Sequence, residues 1–187
     1  EKNKEVDKLL KESGYNPDEI NGKTKMKIRL YLEQDGKRAY TLEPLILKEV
    51  INDPDYTEIE HIIPISISLD DSYSNKVLAT AAENKVKGNR TPIDAFNKHL
   101  FNDSDNGLHG DLQLYISSVK SSKKYSKKKK RYLLFKDDIT KMDVIQKFIA
   151  RNLVDTRYAN RVVLNTLTDY FKANDIPTKV FTINGNI

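Results

Sequence analysis

The stretch from Ile59 to Pro92 holds the side chains whose types and spacing could do chemistry. Glu60 and His61 stand side by side in an apolar run, and Asn84 follows them. Imidazole titrates near neutral pH, so His61 is suited to activate a water molecule as a general base. Glu60 and Asn84 carry the oxygens that Mg²⁺ prefers, because this hard cation keeps several waters and takes few protein ligands.

Two further side chains fit the same chemistry. Lys87 lies three residues after Asn84, so on a helix the two would share a face and Lys87 could hold a phosphate near the metal. The amide of Asn75 could fix the orientation of His61. Together these residues predict metal-assisted hydrolysis of a phosphodiester. On their own they leave a second reading open, in which the pair at 60–61 is a polar strand edge and the asparagines are turn residues.

The elements that must position these side chains are two strands and a helix. A strand over 56–63, a long loop and a second strand over 76–79 are predicted from β-rich apolar runs and turn residues. Thr80 then opens a short helix, because Glu83 completes a capping box, and Gly88 ends it. Strict strand alternation would point neighbouring side chains to opposite faces, so a shared site needs a twist, a bulge or approach from the strand edge.

The ordered motifs resemble the HNH nuclease domain of the type II CRISPR effectors, which are large RNA-guided DNA endonucleases. The matching runs are E-H-I-I-P at 60–64, S-Y-S-N-K-V-L at 72–78, E-N at 83–84 and K-G-N-R-T-P at 87–92. Residues 27–31, 40–41, 131–134 and 151–159 also resemble segments of that family. The resemblance implies an α+β fold with a ββα-metal core, also called the HNH or His-Me finger, surrounded by helices.

The resemblance also implies roles for individual residues. His61 matches the general base of the family, Asn84 matches its asparagine metal ligand, and Glu60 stands where the family has an aspartate ligand. Glutamate is one methylene longer, and Mg²⁺ demands near-ideal octahedral geometry. The substitution is therefore a tolerated variant, a tuned one or an inactivating one, and the sequence leaves all three open.

The expected function is Mg²⁺-dependent hydrolysis of the DNA strand paired to the guide RNA, with Mn²⁺ as a substitute cofactor. In this family base pairing selects the sequence and the protein reads shape. One alternative is a catalytically weakened HNH-like module that binds nucleic acid or an inhibitor protein. Another is a free-standing HNH nuclease of restriction or homing type, which should carry its own DNA-reading domain.

The resemblance also suggests an organisation for the chain. Residues 1–23 would be a linker from a preceding RuvC part, 24–132 the HNH domain, 133–153 a return linker helix, and 154–187 the start of the next RuvC segment. Expected partners are the target DNA strand paired to guide RNA, the remaining effector with its RuvC domain, and an anti-CRISPR inhibitor protein. The expected location is the bacterial cytoplasm, without a membrane partner.

Composition and charge narrow the classes of protein further. The chain of 187 residues has no cysteine, which excludes disulfide and thiol chemistry and a cysteine-rich zinc knuckle. No apolar run approaches the ~20 residues of a membrane span. The net charge is +5. Lysines are concentrated in a run between residues 120 and 130, which is either a solvated loop or a phosphate-facing patch. Its central members are Lys127, Lys128, Lys129 and Lys130.

Apolar residues recur at helical spacing over 144–149 and again over 163–171. This spacing predicts two helices near the end of the chain, each with an apolar packing face.

Overall fold

The computed structural model describes residues 2–181, without the side chains of residues 2 and 151–161. The chain divides into two compact units, Glu1–Ile139 and Thr140–Ile187. Helices of the first unit are α1 (Lys2–Glu12), α2 (Gly22–Glu33), α3 (Leu47–Asn52), α4 (Ile65–Ser68), α5 (Ala81–Lys87), α6 (Pro92–Asn97), α7 (Leu112–Ser121) and α8 (Lys127–Leu133). Its strands are β1 (Thr57–His61), β2 (Lys76–Thr80), β3 (Asn102–Asp103) and β4 (Leu108–His109).

The central hairpin is formed by β1 and β2, which pair antiparallel from Thr57 opposite Thr80 to His61 opposite Lys76. The helix α5 follows β2 directly, so the order of elements is strand, loop, strand, helix. This arrangement confirms the predicted strands and the α+β fold class. The short β3 and β4 form a second antiparallel pair.

The start and end of α5 follow the sequence signals. The hydroxyl of Thr80 accepts a hydrogen bond from the backbone N–H of Glu83 at 3.3 Å, and the Glu83 carboxylate accepts one from the N–H of Thr80 at 3.0 Å. Gly88 ends the helix with φ 52°, a conformation that costs glycine little. The predicted capping box and stop are both confirmed.

The hairpin is held from behind by helix packing. Leu78 of β2 packs with Leu30 of α2 and with Leu45 and Val50 in one buried cluster. Burial of such side chains stabilises the fold by about 1.5–3 kcal/mol each. The hairpin therefore presents its edge and its loop, rather than its core face, to solvent.

Two segments of the first unit differ from the sequence expectation. The long loop after β1 contains the one-turn helix α4 and a 3₁₀ turn at Tyr73–Asn75. The lysine run forms the helix α8 rather than a loop, because the hydroxyl of Ser126 caps it by accepting from the N–H of Lys129 at 3.1 Å.

In the second unit a single helix, α9 (Met142–Ala173), replaces the two predicted helices. Residues 142–173 contain neither proline nor glycine, so nothing local interrupts the helix. Residues 182–187 of the predicted final segment lie outside the described residues. None of the helices in the described range combines the length and apolar character needed to cross a lipid bilayer.

Candidate active site

Four of the five predicted site residues line one open groove with a volume of about 570 Å³, and Asn75 is not among its lining residues. Glu60 and His61 line it from the end of β1, and Asn84, Lys85 and Lys87 line it from α5. His61 is the last residue of β1 and pairs with Lys76 of β2.

The carboxylate of Glu60 is buried and fully engaged. One oxygen, Oε1, lies 2.5 Å from the ammonium nitrogen of Lys87, and the hydroxyl of Tyr40 donates to the other, Oε2. Burial raises the pKa of Glu60 above its ordinary value, although the charge of Lys87 opposes the shift. Burial likewise raises the pKa of Tyr40 well above its ordinary value, so its hydroxyl keeps its proton and remains a donor.

Lys87 is fully buried, with 0% of its side chain exposed. Besides Glu60, its ammonium donates to the backbone oxygen of His61 at 3.0 Å. Burial lowers the pKa of Lys87, and the neighbouring carboxylate counteracts that shift. The expectation that Lys87 reaches out to a phosphate therefore does not match this arrangement, in which the ammonium neutralises Glu60.

Asn84 lies on the groove side of α5, and its amide nitrogen donates to Glu58 of β1. Within the described residues, its amide oxygen has no hydrogen-bond partner. Glu58 was missed by sequence reasoning, although its position two residues before Glu60 on a strand indicates the same face. Lys85, one residue after Asn84, is exposed and lines the groove without an ion-pair partner among the described side chains.

His61 is held by a carboxylate that the sequence analysis did not single out. Its Nε2 lies 2.8 Å from Oδ1 of Asp71. The same oxygen lies 2.8 Å from the ammonium of Lys76, which stands opposite His61 in the hairpin. The signal that could have found Asp71 is its place in the loop that returns from β1 to β2.

Asn75 does not orient the His61 ring, which corrects the sequence expectation. It is fully buried, and its amide oxygen accepts from the backbone N–H of Ile63 at 2.9 Å. Its amide nitrogen donates to the backbone oxygens of Ile63 at 2.9 Å and Asp70 at 2.8 Å. Asn75 thus holds the backbone at both ends of the loop, and its contribution to the site is structural.

The lysine run is not a uniform surface. Lys129 is 1% exposed, forms an ion pair with Glu33 of α2, and places its ammonium 4.3 Å from the centre of the Tyr73 ring. Lys128 pairs with Asp70 at 2.8 Å. Lys129 therefore cannot meet a phosphate in this arrangement, because its ammonium is buried and paired with Glu33. In a helix such as α8, some side chains point into the core while others face solvent.

Lys130 is half-buried and donates to the backbone oxygen of Lys120 at 2.8 Å. Lys127 is exposed at the first turn of α8 and has no ion-pair partner among the described residues. Of the four lysines that the sequence grouped together, Lys127 is the one most available to a nucleic acid.

The donor chemistry of the groove fits a hard divalent cation. Among the described residues no cluster of three or more His, Cys, Asp or Glu side chains forms a protein cage for a metal. Mg²⁺ needs no such cage, because it commonly binds through one or two carboxylates together with waters and substrate phosphates. The ammonium of Lys87 occupies the position beside Glu60, so a divalent cation there would have to displace it.

Comparisons with known proteins identify similar sequences and structures. A model of the family HNH_4, described as HNH endonuclease, matches residues 38–93. The CRISPR-associated endonuclease Cas9 1 of Streptococcus thermophilus is 45% identical over 159 residues, covering 85% of this chain and 14% of that protein. The CRISPR-associated endonuclease Cas9 of Staphylococcus aureus is 43% identical over 159 residues, covering 85% of this chain and 15% of that protein.

A crystal structure of Streptococcus thermophilus Cas9 in complex with an AGGA PAM matches with a TM-score of 0.67 and 37% identity. The match covers 96% of this chain and 17% of that one. This chain therefore spans only a small part of the length of the proteins that it resembles.

Proposed function

The chain belongs to the Cas9 family of CRISPR-associated endonucleases as its HNH endonuclease domain, and on this premise we propose that it hydrolyses the DNA strand paired to a guide RNA. The observation that carries the proposal is the open groove lined jointly by Glu60, His61 and Asn84. We place this activity in a full-length protein with a guide RNA and a RuvC domain, in the bacterial cytoplasm.

His61 is the general base of the proposed reaction. Its ring accepts a proton from a water molecule, and the resulting hydroxide attacks the phosphorus of the scissile phosphodiester. The bond from phosphorus to the 3′ oxygen breaks, and that oxygen takes a proton from solvent. The products are a 5′ phosphate and a 3′ hydroxyl. The position of His61 at the end of β1, beside the groove, supports this role.

Glu60 and Asn84 would hold Mg²⁺, or Mn²⁺ in its place. A bound divalent cation supplies Lewis-acid stabilisation of charge on the phosphate and on the leaving oxygen. The free amide oxygen of Asn84, which lines the groove together with Glu60, supports this assignment. Lys87 would have to leave Glu60, which would free its ammonium for the phosphate role expected from the sequence.

Substrate contacts come from the exposed cations. Lys85 is the exposed lysine beside Asn84, so it is suited to bind a backbone phosphate in the groove. Lys127, with Lys128 and Lys130 as partly exposed neighbours, would contribute sequence-independent contacts to nucleic acid. Lys129 makes no such contact and contributes only by holding α8 against Glu33 of α2.

The full-length protein with its guide provides the test. His61→Ala should reduce cleavage of the guide-paired strand by ~10²–10⁴-fold, because the general base is lost. The other strand should be cut at its original rate, and His109→Ala, an exposed histidine of β4 outside the groove, serves as the matched control. Cleavage of both strands at the parental rate by His61→Ala would overturn the proposal.

A second candidate function is a catalytically weakened HNH-like module that binds nucleic acid or an inhibitor protein. The observation that favours it is the ion pair between Glu60 and Lys87, which fills the expected metal position. If the full-length protein bound its target but left the guide-paired strand intact in both Mg²⁺ and Mn²⁺, this function would replace the first.

A further inference from the structure

We propose that Asp71 is the positioning residue for His61, and that it directs Nδ1 of the ring, rather than Nε2, toward the water that is activated. The proposal rests on the proposed function of His61 as general base. Asp71 itself touches neither substrate nor metal in this scheme. It acts by fixing which ring nitrogen carries the proton and how the ring is turned.

The contact between the two side chains sets the tautomer. Nε2 of His61 lies 2.8 Å from Oδ1 of Asp71. An ionised carboxylate only accepts hydrogen bonds, so Nε2 must carry the proton that it donates. In a neutral imidazole the other nitrogen is then an unprotonated acceptor. Nδ1 has no hydrogen-bond partner within the described part of the chain, and it is therefore the atom left to accept a proton from water.

The backbone next to Asp71 is held by several hydrogen bonds, although the side chain of Asp71 is exposed. The neighbouring carboxylate of Asp70 accepts from the N–H of Ser72 at 2.9 Å and from the hydroxyl of Tyr132 at 3.0 Å. The backbone oxygen of Asp70 accepts from the amide of Asn75 at 2.8 Å. A side chain on a backbone fixed from several directions can hold a partner in one orientation, which a free surface loop could not.

Lys76 completes the arrangement. It lies opposite His61 in the hairpin, and its ammonium is 2.8 Å from the same Asp71 oxygen that meets the ring. The hydrogen bond from Lys76, followed by that from His61, lowers the pKa of Asp71. Asp71 therefore stays ionised and is turned toward the ring, while the shared positive charge moderates its pull on the imidazole proton.

The competing interpretation is an ordinary surface ion pair that stabilises the loop and nothing else. Exposed pairs of this kind contribute little to stability, so folding alone gives no reason for Asp71 to meet the histidine. The two interpretations differ in a property that loop stability does not change, namely the tautomer of the His61 ring.

The first measurement is made on the 187-residue chain. Two-dimensional ¹⁵N NMR of the imidazoles should show neutral His61 with its proton on Nε2. In Asp71→Asn the ring should become a mixture of the two tautomers, because a side-chain amide can donate as well as accept. Asp105→Asn, an exposed aspartate of the loop between β3 and β4, should leave the His61 signals unchanged.

The second measurement uses the full-length protein with its guide. Asp71→Asn should lower kcat for the guide-paired strand by about ten-fold with KM unchanged, since a misoriented base affects the reaction rather than binding. Asp71→Glu should restore part of the rate because it keeps the carboxylate. Cleavage of the other strand and the Asp105→Asn protein should be unaffected.

Either of two results would overturn the proposal: a parental rate in Asp71→Asn, or a wild-type ring protonated on Nδ1. His61→Ala separates this failure from that of the proposed function. If His61→Ala still cut the guide-paired strand at the parental rate, the proposed function would fail whatever tautomer the ring adopts.

Discussion

At the scale of single residues, Glu60 places its carboxylate one methylene farther from the backbone than an aspartate would. The side chain extends to the hydroxyl of Tyr40 and to the ammonium of Lys87, and both of its oxygens are engaged. Sequence alone placed Glu60 in the site but could not find Tyr40, which lies 20 residues away. A buried pair of this kind is costly to break, because removing one partner leaves an uncompensated charge.

Glu60→Asp tests whether this reach weakens the proposed metal site. The shorter side chain withdraws from Tyr40 and Lys87, so we expect faster cleavage of the guide-paired strand by the full-length protein in Mg²⁺. Mn²⁺ should partly rescue the parent, because it accepts oxygen ligands and binds such sites more tightly. Glu49→Asp on α3 makes the same change away from the groove and should leave the rate unaltered.

A lower rate in Glu60→Asp, together with none in Glu60→Ala, would indicate a backbone adapted to glutamate. Equal rates for Glu, Asp and Ala at this position would remove Glu60 from the metal site.

At the scale of elements, what could be predicted from the sequence is what local signals specify. Thr80 and Glu83 lie within one helical turn, so their capping box is visible in the sequence and α5 was placed correctly. The role of Lys129 was not visible, because its partner Glu33 lies 96 residues away. The consecutive lysines suggested a solvated loop or a surface patch. Lys129 is nevertheless a core residue, because it pairs with the distant Glu33.

Two substitutions in α8 should separate surface charge from folding. Lys127→Ala removes an exposed charge, so we expect a salt slope for nucleic-acid binding that is smaller by up to ~0.9, with unchanged stability. Lys129→Ala leaves Glu33 buried without its partner, so the free energy of unfolding should fall by about 3–5 kcal/mol. Salt-dependent binding assays and urea unfolding measure the two effects. Similar behaviour of the two variants would contradict this division of the lysine run.

At the scale of the whole molecule, the ionic contacts of Asp70 couple stability to pH. Burial alone would raise its pKa, but hydrogen bonds from Lys128, Ser72 and Tyr132 together lower it to about 2. A depressed carboxyl pKa stabilises the folded state at pH values above that of an unfolded aspartate, about 4. This contribution is lost as the pH falls from there through about 2.

We therefore expect wild type to exceed Asp70→Asn in stability at about pH 5, and the difference to vanish near pH 2. Urea unfolding at a series of pH values measures it. Asp18→Asn, an exposed aspartate near the start of the chain, should show no such pH-dependent difference. A constant gap between wild type and Asp70→Asn across the series would mean that Asp70 acts through packing instead of charge.

If the proposed divalent cation binds at Glu60, it must exchange with the ammonium of Lys87. An incoming divalent ion gains the carboxylate only as the lysine gives it up, so a measured affinity is the difference between two competing interactions. The fraction of protein with a bound metal ion then depends on how strongly another group binds the released ammonium of Lys87. A phosphate of bound DNA is such a group, so metal and substrate should bind with positive cooperativity, and each should be held more weakly in the other's absence.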